Sequence, residues 1–99
     1  MPITNKAKLI QHLKVTDEFG NTIEIKLWQV PATPDKPHGF KYSLVYIVAG
    51  ERVVGFDNAE GKSDHHHRLG CEEPYRFTTL QQLSDDFWTA VNAYLGSLP

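Results

Sequence analysis

The chain has 99 residues, 40% of them hydrophobic, with two Trp, four Tyr and five Phe, enough bulky apolar surface for one compact domain over 1–99 and too little chain for two. Twelve acids against ten Lys plus Arg leave a formal charge of −2, which excludes an acidic tail and the broad cationic surface of a tight phosphate binder, and confines any nucleic-acid contact to a small site. The single cysteine, Cys71, excludes an internal disulfide, and no apolar run is long enough to cross a bilayer or to follow Met1–Lys6 as a secretory signal, so the expected location is the cytoplasm.

Alternation at two-residue spacing from Ala7 to Val15 predicts a half-buried strand, with Ala7, Leu9, Leu13 and Val15 on one face and Lys8, Ile10, His12 and Lys14 on the other. Gly20-Asn21 offers the left-handed backbone of a tight reversal, after which Ile23, Ile25 and Leu27 alternate with polar neighbours up to Val30. Three prolines in Pro31–Pro37 make a stiff connection. From Phe40 to Ala49 both faces are apolar, the mark of a central strand, and Ala49-Gly50-Glu51 turns the chain into Arg52–Asp57. The glycine- and histidine-containing segment from Asn58 to Pro74 has no apolar period and reads as a long loop. Leu80, Leu83, Phe87, Val91, Tyr94 and Leu95 then recur at three and four, behind a capping box at Thr78/Gln81 or Thr79/Gln82 and ahead of Gly96 as a stop. The expected fold is α+β: a four-stranded antiparallel meander packed by a C-terminal amphipathic helix.

Chemistry concentrates between Asp57 and Arg68, which holds three of the five histidines. If that triplet is extended, His65 and His67 share one side, about 7 Å apart, and His66 takes the other. Two imidazoles beside a carboxylate suit proton transfer in both directions, and they equally suit a divalent metal. A histidine triplet in a polar loop is also often plain solvated surface that catches metal adventitiously. A four-ligand structural metal site could draw on Asp57, Asp64, two histidines and Cys71, but no ordered spacing motif supports it. Cys71 lacks the local signature of a nucleophile. Metal-free RNA cleavage needs a base for the 2′-hydroxyl, an acid for the leaving oxygen and a cation for the phosphate. Asp57, His65, His67 and Arg68 supply those types as candidate catalytic residues, with Asp57 orienting a histidine. Lys62, His66, Tyr75 and Arg76 are the candidate substrate contacts; Phe77, and in a competing account Tyr75, go to the core, while His12 and His38 read as ordinary strand or loop residues.

The order Arg52-Val53-Val54-Gly55-Phe56-Asp57-Asn58-Ala59-Glu60-Gly61, a histidine cluster, Glu73-Pro74-Tyr75-Arg76-Phe77-Thr78 and a terminal helix with Asp86-Phe87 resembles the TumE-like toxins of bacterial toxin–antitoxin modules. Asp57, Asn58, Ala59, Gly61, Glu73, Pro74, Tyr75 and Phe77 match that pattern, whereas the contiguous histidines depart from its spacing of one or two residues. The resemblance implies a toxin whose partner is a helix-turn-helix antitoxin. From the residues, RNA is the expected substrate, and no cofactor is expected, with a divalent metal at the histidine cluster left open. The other reading is a non-enzymatic protein-interaction or metal-binding module, and a homodimer is open in either case.

Overall fold

The computed structural model describes residues 7–34, 36–58 and 63–98. Six strands form one antiparallel sheet in chain order: β1 (Lys8–Thr16), β2 (Thr22–Gln29), β3 (Phe40–Val48), β4 (Glu51–Asp57), β5 (His65–Arg68) and β6 (Cys71–Pro74), followed by one helix, α1 (Leu80–Gly96). The class matches the α+β expectation, but the meander has six strands where four were expected. The extra pair is the segment read as a loop. Each of its strands has only four residues and no apolar alternation, and Leu69-Gly70 reverses the chain with φ of 50° and 84°. Leucine is not a residue that announces a left-handed turn. Backbone pairing with β4, rather than side-chain periodicity, makes this hairpin a strand pair.

The core lies on one face. Ile23, Ile25 and Leu27 of β2, Tyr42, Leu44 and Tyr46 of β3, and Val54 and Phe56 of β4 are buried together with Leu83, Phe87 and Val91 of α1. Those three helical positions fall at four-residue spacing, so one narrow stripe contacts the sheet, and each buried side chain contributes about 1.5–3 kcal/mol. Phe87 meets Phe56 edge-on at 6.3 Å and Tyr94 meets Tyr46 at 6.2 Å. The helix begins at the later of the two capping registers: the Thr79 hydroxyl accepts the Gln82 N–H at 3.0 Å. It also runs through Gly96 to a cap at Ser97, whose φ of −86° is right-handed.

The outer strand β1 is less covered than expected, with Leu13 its one half-buried residue. A bulge between Leu9 and Gln11 shifts the register, so Leu9 pairs with Trp28 on the uncovered face while Leu13 and Val15 pair with Ile25 and Ile23 on the core face. A second bulge, between Tyr46 and Ile47, leaves Val53 and Val54 both buried. The sheet edges carry Lys8, Lys14, Glu72, Glu73 and Pro74, charges and a proline that oppose edge-to-edge pairing.

Where β4 ends, Asn58 is completely buried. Its Oδ1 accepts the Tyr42 N–H at 2.9 Å, and its Nδ2 donates to the Phe40 carbonyl at 2.8 Å and to Asp64 Oδ1 at 3.1 Å. The amide therefore extends the ladder of β3 by one rung and ties the start of β5 to it. Asn58→Ala leaves those two backbone groups of β3 without partners inside the protein, and the expected loss is about 3 kcal/mol in urea unfolding. A loss below about 1 kcal/mol would show that the latch is not structural.

Candidate functional site

Register decides which side chains of the histidine strand can meet. Pairing of β4 with β5 sets Asp57 opposite His65, Phe56 opposite His66, Gly55 opposite His67 and Val54 opposite Arg68. Phe56 and Val54 face the helix, so strand alternation sends Asp57, His65 and His67 to the uncovered face and His66 and Arg68 to the helix side. Three of the four candidate catalytic residues are thus brought together, and Arg68 is not among them.

Within the cluster, His65 Nε2 lies 2.7 Å from Asp57 Oδ1, and His67 Nε2 lies 4.0 Å from Asp57 Oδ2 and 3.6 Å from Glu72 Oε1. The two imidazole centroids are 5.1 Å apart. His65 Nδ1 is 3.0 Å from the Ser63 carbonyl, which can only accept, so Nδ1 carries a proton. The other ring nitrogen faces the Asp57 carboxylate, so the His65 ring is held between a carbonyl and a carboxylate. His67 stands differently: burial first, and the Arg52 guanidinium next, hold its imidazole below the ordinary range, against the opposing pull of Glu72 and Asp57. Its nearest acceptors among the described residues are the Glu72 and Asp57 carboxylates, both beyond hydrogen-bonding distance.

The cation at this site is Arg52, which the sequence reading did not single out. Its Nη1 reaches Asp57 Oδ2 at 3.5 Å, and it lies across Gly55, where a β-carbon would come within 2.9 Å of Arg52 Cδ. The signal was present: a glycine inside an otherwise apolar strand marks a close approach over its backbone. Glu72 was also missed, because it belongs to a strand that lacks an apolar pattern. His38, read as ordinary, has its Nε2 2.9 Å from Asp64 Oδ2, accepts the Phe40 N–H on Nδ1 at 3.1 Å and packs on Phe77 at 4.1 Å. With Asn58 it anchors Asp64, next to His65 in the chain.

The remaining candidates lie elsewhere. His66 stacks on Phe56 at 5.4 Å, and Tyr75 meets Phe56 edge-on at 5.0 Å. The Tyr75 hydroxyl donates to Asp86 Oδ2 at 2.5 Å, and burial with that carboxylate holds it well above the ordinary phenol range. Tyr75 thus pins the last hairpin to α1, as the competing account had it, and lines a groove of about 280 Å³ with His66 and Arg68. Arg76 is exposed beside it, and Lys62 lies outside the described residues. Cys71 is a free, exposed thiol.

A metal ion can be tested against the same atoms. The donor atoms of Asp57, His65 and His67 lie within 4.8 Å of one another, whereas two ligands about 2.0–2.2 Å from one zinc ion can be no more than roughly 4.4 Å apart. The cluster would have to contract to hold one. No helix among the described residues is long and apolar enough to cross a membrane.

A family model described as Toxin TumE matches residues 3–95. No curated protein and no solved structure matches the chain.

Two measurements follow from the His67 environment. Arg52→Ala removes one of the influences that depress it, so the His67 ring protons, followed by NMR, should titrate at higher pH than in the parent. Because the folded value lies below the unfolded value of about 6.5, the stability tied to neutral His67 is complete above that pH and is lost as pH falls through the lowered value. His67→Gln should flatten that part of the acid-side loss in urea unfolding. A parent His67 that titrates at or above the free-imidazole value contradicts the geometry.

Proposed function

We propose that this chain, which belongs to the TumE toxin family, inhibits growth by cleaving RNA in the cytoplasm with the Asp57–His65–His67 cluster as its acid–base centre. The observation that carries the reading is geometric: two imidazoles with centroids 5.1 Å apart share one carboxylate, His65 lying 2.7 Å from it and His67 4.0 Å away with its imidazole depressed by burial and by Arg52. Two rings so placed can act as base and acid in one reaction.

In this mechanism His67 takes the proton of the ribose 2′-hydroxyl. The oxygen attacks the adjacent phosphorus, and the bond from phosphorus to the 5′-oxygen breaks. The proton for that leaving oxygen comes from the His65–Asp57 pair, whose half-buried carboxylate borders the site, giving a 2′,3′-cyclic phosphate and a free 5′-hydroxyl. Arg52 sits where it can meet the charge that builds on the phosphate, the role first given to Arg68. Asp57 holds the His65 ring and stabilises its protonated form, and no step requires a metal. As a toxin, the protein is expected to be neutralised by an antitoxin, for which the helix-turn-helix type remains the proposal.

His65→Ala and His67→Ala should each abolish growth inhibition and RNA loss in chains that still unfold cooperatively, with His65→Ala lowering the melting temperature because it strips the half-buried Asp57 carboxylate of a partner. Arg52→Ala should lower the cleavage rate by about 10²–10³, the usual effect of removing one donor to a developing oxyanion. Cleavage by purified protein should persist in excess chelator. Toxicity that survives the double histidine substitution sinks the acid–base centre, and activity lost with chelator and restored by zinc replaces it with a metal site.

A further inference from the structure

We propose that the sheet face opposite α1 is a track for single-stranded RNA that leads into the Asp57–His65–His67 cluster and seats one base on Trp28, a proposal that rests on the RNA-cleaving reading of that cluster. The register places His12, Lys26, Ser43, Asp57 and His65 in one row across β1 to β5. With strands about 4.8 Å apart, the row is roughly 19 Å long. Beside it, Trp28 stands two residues beyond Lys26 and opposite Lys41, whose ammonium rests 5.8 Å from the indole centroid.

Trp28 has no part in the packed core, although it is half-buried. Leu9 of β1 stands beside it, and α1 packs on the other face of the sheet. An indole flanked by two lysines on an open sheet face is what an unpaired base and its neighbouring phosphates require, since the ring stacks on any base while the ammonium groups meet the backbone. Glu24 on this face lies 3.2 Å from His12 and 3.8 Å from Lys26, and an arriving phosphate competes with it for the Lys26 ammonium.

Charge also fixes the direction. The β6 side of the cluster carries Glu72, which pairs with His67 across the strands and lies 3.6 Å from it, a carboxylate that repels a phosphate chain. RNA seated at His65 therefore extends the other way, over Ser43 toward Lys26, Lys41 and Trp28. A duplex cannot follow, because its bases are stacked on one another and unavailable to the indole.

The test uses the full chain carrying His65→Ala and His67→Ala, so that RNA stays intact, with a fluorescein-labelled single-stranded 12-nucleotide RNA and the same sequence as a duplex. Single strand should bind and duplex should not. Adding Trp28→Ala should weaken binding about tenfold, Trp28→Phe should restore most of it, and Lys26→Ala with Lys41→Ala should reduce the salt slope by about 0.7 each. Unchanged binding in the Trp28 and lysine variants, equal binding of duplex, or poly-glutamate binding with the same Trp28 dependence would each overturn the track. Cleavage by the parent chain, with a KM indifferent to Trp28→Ala, would remove the track and leave the cluster chemistry standing. Trp28-dependent binding without any cleavage would do the reverse.

Discussion

The pairing of Asp57 with His65 across two neighbouring strands is the constraint from which the site follows. Once those residues are opposite each other, the two-residue period of a strand leaves no freedom: His67 joins them, and His66 and Arg68 cannot. A slip of one residue would send His65 and His67 toward the helix and put His66, alone, beside the carboxylate. The chemistry is thus a property of register before it is one of residue type. That is why the register is guarded by a fully buried amide at Asn58, immediately after the carboxylate, whose partners on β3 cannot be served by another residue.

The same stretch shows how one short sequence divides its labour between two faces. On the helix side, Phe56 and Val54 hold the core and His66 lies flat against Phe56. On the other side, Gly55 gives up its side chain so that Arg52 can lie along the sheet and reach Asp57. Burial on one face fixes the strand, and the vacancy on the other brings a guanidinium to a carboxylate. Depressing the His67 imidazole is one result of that placement, and the cation assigned to the phosphate in the proposed mechanism is the other.

The longer strands and the helix were legible in the sequence because their apolar residues recur at a period: Ile23, Ile25 and Leu27 at two, Leu83, Phe87 and Val91 at four. The meeting of His65 and His67 with Asp57 was legible only as a conditional, because extension of the triplet depends on hydrogen bonds from β4 that no local pattern encodes. Arg68 was misplaced for want of the same information, since adjacency in the chain is opposition across a sheet. His38 and Asp64 lie 26 positions apart and form their contact through tertiary structure alone. The bulge at Leu9 defeated strict alternation in β1, as one inserted residue reverses the faces on either side of it.

Each strand of this sheet pairs with its neighbour in the chain, with no crossover anywhere among the described residues. Such an arrangement has low contact order, so the sheet can zip from its well-packed middle without first closing a long loop. The β5–β6 hairpin, four residues a side and without apolar alternation, joins late in that sequence and is held through His66 on Phe56 and Tyr75 on Asp86. Both imidazoles ride on it. In the proposed mechanism activity therefore depends on how firmly those few contacts hold a short outer hairpin to the rest of the sheet.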